Sequence, residues 1–197
     1  LPCFNNEKTI EIAITSIVRQ TYTKWELIVM DDGSKDKSLS IIKKFKDDRI
    51  RIVHDNRNIG ISARLNQAME LGSGKYFARM DGDDVAFPER FERQVAYLEE
   101  HSEIDLLGAG VIVFKGDGCA TGMHPIETSH AKICKRPWAG FHLVHPTWMG
   151  RRTWFLSNQY RSEADGAEDQ DLLLRTYITS QFACLPDILL GYRQESL

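Results

Sequence analysis

The feature that most constrains this chain is a repeated alternation of strand-length apolar runs with amphipathic helical stripes through its first hundred residues. The runs are Glu26–Met30, Ile50–Val53 and Tyr76–Met80. Each is short and mostly apolar without clean alternation, the pattern of strands covered on both faces. Between them, Ile10, Ala13, Ile14, Ile17 and Val18 recur at i, i+3, i+4, i+7 and i+8, an apolar stripe that packs on a core. Leu65, Ala68, Met69 and Gly72 repeat in the same way, as do Phe91, Val95 and Leu98, while Leu39, Ile42 and Phe45 mark a helix with a lysine-rich outer face. Strand and helix thus alternate about every 25 residues, which predicts an α/β fold with a mostly parallel central sheet and helices on both sides. Right-handed crossovers then gather the strand ends, and with them the ligand site, on one edge. A strand truncated at Leu1-Pro2 belongs at the start of this order.

The second half is less regular. Asp105–Phe114 reads as a strand, 115–146 has poor periodicity, and a last helix starts near Asp169 using Leu172, Leu173, Tyr177 and Ile178. With no repeat or linker, 197 residues make one domain, in which 1–100 forms a nucleotide-binding half and 101–197 an acceptor-side half. A formal charge of −3 offers no footprint for nucleic acid. No apolar stretch approaches the roughly 20 residues of a membrane span, and no signal peptide opens the chain. The missing initiator Met predicts a fragment, with membrane segments or further domains beyond its ends. Cys3, Cys119, Cys134 and Cys184 are too scattered for a zinc site or a disulfide framework, which predicts reduced thiols in a cytosolic domain.

Four constellations carry chemistry. Asp81-Gly82-Asp83-Asp84 follows an apolar strand and precedes a helix opened by Pro88-Glu89. Carboxylates one residue apart at a strand end can converge on Mg²⁺ or Mn²⁺, leaving positions for substrate phosphates. The same residues also suit a solvated acidic turn. An EF-hand is excluded, because Val85 and Ala86 occupy its fifth and sixth places. Asp31-Asp32-Gly33-Ser34 sits at the next strand end, where a carboxylate can accept an N–H from a nucleotide base, or simply form a turn. Glu168-Asp169 opens the last helix. There the macrodipole favours acids structurally, and an ionised Asp169 could equally serve as a general base. Asn58 to Arg64 runs from a loop into a helix, with Arg64 placed either to contact base or phosphate or to pair with a surface acid. His145-Pro146-Thr147 with Trp148 is a candidate lining of the acceptor cleft.

Taken together these residues resemble glycosyltransferase family 2, the inverting group with the GT-A fold. Pro2-Cys3-Phe4-Asn5-Asn6-Glu7 is similar to the family's P-x-(Y/F)-N-x-E, and Gln20-Thr21-Tyr22 to its Q-(T/S)-(Y/F) turn. The acidic motifs follow in the family's order, so the resemblance covers essentially the whole chain. It implies that Asp32 binds the nucleotide base beside the Pro2–Phe4 strand end and that Asp81 lies near ribose and metal. It further implies that Asp83 ligates a Mn²⁺ or Mg²⁺ ion, that Asp84 assists through water, and that Asp169 is the catalytic base. The donor it implies is a nucleotide sugar, most often of UDP. The acceptor is a saccharide or lipid-linked sugar, at the cytoplasmic face of the membrane if missing segments anchor the chain there. The chain departs from the pattern in Leu65-Asn66 after Arg64 and in Tyr192–Ser196, which lacks a histidine after Tyr-Arg. A sugar-1-phosphate nucleotidyltransferase would need a Gly-rich basic loop where Asn5-Asn6-Glu7-Lys8 stands, and a dehydrogenase G-x-G-x-x-G. A binding domain without turnover is the remaining rival.

Overall fold

The computed structural model describes residues 1–116 and 118–194; Glu195 and Ser196 of the terminal motif lie outside them. In chain order the elements are β1 (Pro2–Cys3), α1 (Ile10–Val18), β2 (Leu27–Asp31), α2 (Ser38–Ile42), β3 (Ile50–His54), α3 (Ile61–Leu71), β4 (Tyr76–Ala78), β5 (Val85–Ala86) and α4 (Arg90–Glu100). There follow β6 (Leu106–Phe114), β7 (Ala120–Met123), α5 (His130–Ile133), β8 (Met149–Arg151), α6 (Arg152–Ser157), α7 (Glu168–Thr176) and β9 (Phe182–Arg193).

The first half follows its periodicity in α1, β2, β3, α3 and α4, whereas α2 ends at Ile42 and β4 pairs antiparallel with β8 instead of joining the parallel strands. β2 is buried along its whole length, and the side-chain alternation of a strand divides it between two cores. Leu27 and Val29 join the cluster formed with Ile10, Ala13, Ile14 and Ile17 of α1, while Ile28 and Met30 face Ala68 of α3. Ile10 and Ile14 are fully buried, and truncating one to Ala is expected to cost about 2–5 kcal/mol. Gln20 fastens the end of α1 to the start of α4: its Nε2 donates to the Phe87 carbonyl at 2.8 Å and its Oε1 accepts from Phe91 N–H at 2.9 Å.

The strands form an α/β architecture in two hydrogen-bonded sheets. β1-β2-β3 is parallel, and β4-β8-β6-β9-β5 is mixed, with β7 beside β6. Within the second sheet, among the described residues, only β6 and β9 run parallel. The mixed character follows from connection: helical crossovers give parallel neighbours, whereas β6 turns directly into β7 and must pair antiparallel. A second core, with Leu65, Met69, Trp148, Phe155, Leu172 and Phe182, ties α3, α6 and α7 to this sheet. α7 is thereby held at the same molecular edge as the Asp81 turn.

Candidate active site

Beyond β4 the buried Arg79 and Met80 lead into Asp81–Asp84. Gly82 packs against the first loop. Its carbonyl accepts the Thr9 hydroxyl at 2.9 Å, and a Cβ there would sit 3.1 Å from Asn6 Oδ1 and 3.3 Å from Ile10 Cδ1. Ligand atoms of Asp81, Asp83 and Asp84 lie within 4.8 Å of one another. Arg79 Nη1 donates to Asp81 Oδ2 at 2.6 Å. Arg193 contributes its backbone N–H to Asp84 Oδ1 and its Nε to the Asp83 carbonyl, both at 2.9 Å, so neither Asp83 nor Asp84 receives a side-chain cation. Burial, then the neighbouring Asp81 charge, pushes Asp84 up to about 8 and raises Asp83 as well. Asp84 Oδ2 is buried without a partner. Three hard oxygen donors, of which only Asp81 has a side-chain cation and one oxygen of Asp84 is orphaned, fit a Mg²⁺- or Mn²⁺-class ion.

At the end of β2 the two acids diverge. Asp31 is buried and its Oδ2 meets His54 Nδ1 at 2.6 Å. Asp32 Oδ1 accepts from Ile59 N–H and Arg64 Nε, both at 2.8 Å, and its Oδ2 from Gly60 N–H at 3.1 Å. Gly60 adopts φ +90°, a conformation that glycine accepts without strain. Phe4, at the end of β1, is 48% exposed. Asp32 N–H donates to the Cys3 carbonyl at 2.8 Å, which sets the backbone just before Phe4 beside the end of β2.

Across the cleft, α7 opens with Glu168 and Asp169. They line a cavity of about 450 Å³ together with Arg79, Asp81, His145 and Tyr192. His145 is buried, 2.8 Å from the Tyr160 hydroxyl through Nε2 and 3.5 Å from Glu168 Oε1 through Nδ1. Its burial and the Arg79 charge lower its pKa despite Glu168, and burial raises that of Tyr160. His145 thus lies between the Tyr160 hydroxyl and the Glu168 carboxylate, and its burial favours the uncharged ring. Burial opposes ionisation of Glu168, but contact with His145 and backbone N–H groups, Gly166 at 2.8 Å among them, outweigh it and hold the carboxyl at about 2. Asp169 Oδ1 accepts its neighbour's Gln170 N–H at 2.8 Å, and Gln170 Nε2 reaches Oδ2 at 3.2 Å. Gln170 Oε1 in turn accepts from Phe141 N–H at 2.8 Å, tethering the carboxylate to the cleft loop.

The fold thus brings Asp81, Glu168, Asp169 and His145 to one cavity. Two residues depart from their sequence-based placement. Arg64 is fully buried: it donates to Asp32, to Asp55 Oδ1 at 2.6 Å, to the Arg57 carbonyl at 2.6 Å and to Gln67. It reaches the site only through Asp32. Trp148 is also fully buried, its indole N–H satisfied by the Leu143 carbonyl at 3.1 Å, so it is core behind His145 and not cleft lining. Arg79 and Gln170 were not singled out in the sequence. Arg79 carried a usable signal, because a cation two residues before Asp81 shares its side of the extended chain. Gln170 carried none.

A strand-edge acidic cleft on this architecture defines a GT-A-like fold. Solved structures agree: the crystal structure of S. aureus TarS 1–349 in complex with UDP-GlcNAc superposes with a TM-score of 0.82 at 22% identity, covering 100% of this chain and 58% of that one. The family model for glycosyl transferase family 2 matches residues 1–157, and the chain belongs to that family. An uncharacterized glycosyltransferase of Methanocaldococcus jannaschii is 32% identical over 192 residues, 95% of this chain and 66% of the relative. The UDP-Glc:α-D-GlcNAc-diphosphoundecaprenol β-1,3-glucosyltransferase WfgD of Escherichia coli is 28% identical over 135 residues, 68% of this chain and 53% of the relative. The chain therefore spans between about half and two thirds of these proteins. Among the described residues no helix is long and apolar enough to cross a membrane.

Proposed function

We propose that this chain carries the donor- and acceptor-binding chemistry of an inverting, metal-assisted sugar transfer. The donor is a nucleotide-diphosphate sugar, with UDP as the nucleotide. The acceptor is a hydroxyl of a saccharide or lipid-linked saccharide, used in cell-surface polysaccharide synthesis at the cytoplasmic face of the membrane. The observation that carries the reading is that Asp81, from the 1–100 half, and Glu168-Asp169, from the 101–197 half, line one cavity. UDP and UDP-GlcNAc complexes of TarS support the donor class, and the lipid-linked substrate in WfgD's name supports the acceptor class.

In this reading Phe4 and Pro2 offer the face on which the base lies. Asp32 accepts a base N–H through Oδ2, which has a single partner in the protein. Asp81 and Asp83, with Asp84 behind them, hold a Mn²⁺ or Mg²⁺ ion. When bound, that ion neutralises charge on the departing diphosphate. Asp169 accepts the proton of the acceptor hydroxyl as its oxygen bonds to the anomeric carbon, and the C–O bond to the nucleoside diphosphate breaks on the opposite face. His145 and Gln170 keep the acids of α7 in place. Positioning and charge stabilisation supply most of the rate.

The test is release of nucleotide from a panel of UDP-sugars with pooled saccharide and lipid-linked acceptors, in Mn²⁺ and in EDTA. Transfer in Mn²⁺ that is lost in EDTA supports the reading. Turnover equal in both removes the metal, and tight donor binding with no transfer to any pool makes the chain a binding domain.

A further inference from the structure

Between Glu127 and Glu163 the chain carries no acidic residue, although its formal charge is −3 overall, and part of this segment forms a surface beside the cleft. α5 buries Ile133 in the second core and leaves Lys132 exposed, and the exposed Lys135 and Arg136 follow it. Pro137–Ala139 then makes a single 3₁₀ turn, closed by Ala139 N–H on the Arg136 carbonyl at 2.9 Å. Proline fixes the backbone at the start of the turn, and Trp138 stands on it 82% exposed. Two further exposed apolar side chains belong to the neighbouring end of α7. Gln170 Oε1 receives Phe141 N–H, and the Tyr177 ring lies 5.9 Å from that of Phe141, so the face of α7 that bears residues 170 and 177 packs on this loop. Leu174, one turn beyond Gln170 on that face, is 54% exposed, and Ile178, directly after Tyr177, is 80% exposed. The acids of α7 do not answer the cations. Glu168 is turned to His145, Asp169 is held by Gln170, and Asp171 pairs with Arg175 at 2.8 Å.

We propose that Lys132, Lys135, Arg136 and Trp138, with Leu174 and Ile178, form a docking surface for an anionic lipid bilayer. Each part meets a different layer. The cations face the charged headgroups, where each is worth roughly fivefold in partitioning. The indole, apolar in body with one N–H at its edge, sits at the boundary between headgroups and acyl chains, and Leu174 and Ile178 enter beside it. An acidic protein surface would answer the cations but offers no apolar depth to an indole that stands clear of its own fold. Phe141 and His142, a few residues beyond Trp138, line the cavity that holds Asp169, and Gln170 ties this loop to Asp169. Docking therefore brings the Asp169 side of the cleft to the membrane surface, where a lipid-linked sugar has its headgroup. That consequence rests on the acceptor class proposed above; the docking itself does not.

The experiment is co-sedimentation of the 197-residue chain with sucrose-loaded vesicles of about one-third phosphatidylglycerol in phosphatidylcholine, against vesicles of phosphatidylcholine alone. The chain is expected to bind the anionic vesicles and to bind them less as salt is raised. Lys132→Ser, Lys135→Ser and Arg136→Ser combined should lower partitioning on the order of 10²-fold, and Trp138→Ser about tenfold. Lipid brominated in its acyl chains should quench tryptophan fluorescence in the wild type more than in Trp138→Ser. Two controls remove equal charge or an exposed apolar side chain elsewhere: Lys43→Ser, Lys44→Ser and Lys46→Ser combined, and Ile12→Ser on α1. Both should bind within about twofold of wild type. All these side chains are exposed, so the fold should be unaffected, which a thermal melt checks. No sedimentation with anionic vesicles, equal binding to both vesicle types, or equal losses in the patch and control variants overturns the proposal. So does capture by polyglutamate without vesicle binding, which would make the surface a site for an acidic polypeptide. No donor, metal or acceptor enters the assay, so its failure leaves the transfer reading standing, and a failure of transfer leaves the docking result standing.

Discussion

Arg64→Met separates a positioning role from direct nucleotide contact. The side chain keeps its length and loses its charge, which leaves the Asp32 carboxylate, 9% exposed, without its cation and Asp55, 30% exposed, with only the surface Arg57. Removing one partner of a buried ion pair costs about 3–5 kcal/mol, because the other charge stays desolvated. In a chain of this size each kcal/mol moves Tm by about 2–4 °C, so a fall of roughly 6–20 °C is expected. Asp55 works in the same direction at low pH. Its carboxyl is held far below its usual value chiefly by Arg64, so the stability it lends is present above the ordinary carboxylate pKa and lost as acid is added. Arg64→Met should therefore flatten the acid limb of the stability curve while lowering its plateau. Adding Asp32→Asn to Arg64→Met should recover part of the loss, with a coupling of about 1–3 kcal/mol. The assay is thermal melting between pH 3 and 7, paired with UDP calorimetry well below both melts. Melting within 2 °C of wild type together with lost UDP affinity would refute the argument and return Arg64 to the nucleotide.

The remaining expectations divide between the two walls of the cleft. Asp83→Ala should make UDP affinity in Mn²⁺ equal to that in EDTA; in the wild type, Mn²⁺ at a hundred times its dissociation constant should add about 2.7 kcal/mol of stability. Asp169→Asn removes a proton acceptor while keeping shape, so transfer should fall roughly 10²–10⁴-fold with donor affinity unchanged; near wild-type turnover would remove Asp169 as the base. Glu168 titrates at about 2 in the folded chain against 4.5 unfolded, so its contribution, up to about 3 kcal/mol, is full above pH 5 and lost between about 4.5 and 2. Acid melts of Glu168→Gln should lack that loss. Phe4→Ala should weaken UDP binding by about 1–3 kcal/mol if the base stacks there, leave stability within about 0.5 kcal/mol, and leave pyrophosphate binding untouched.

The first half was legible because its signals are local. The stripe of α1 and the apolar run of β2 name the buried faces directly, and Asp81 follows its strand in sequence as in space. The second half hides its order in long-range pairing. β9 contains Pro186 and pairs β6 across register shifts near Gly110, so no fixed period runs through it. α2 ends at Ile42, before the Phe45 that its stripe would include. Burial of polar side chains was the least visible property. Arg64 reads the same whether it faces solvent or closes on Asp32, 32 residues away, and His145 gives no hint of Tyr160 and Glu168 as partners.

The two aspartate groups at the strand ends look alike in sequence and differ in how their charge is met. Asp32 is satisfied from within, by two backbone N–H groups and a buried guanidinium, so it is a rigid acceptor that needs no ion to exist in the fold. The Asp81 turn is short of charge. Arg79 answers Asp81, while Asp83 and Asp84 are driven toward protonation by burial and by Asp81. Such a cluster is costly to a folded chain unless something cationic completes it. Electrostatic deficit, rather than the mere presence of acids, therefore sets the Asp81 turn apart from the Asp32 turn, and the proposed ion is assigned there on that ground.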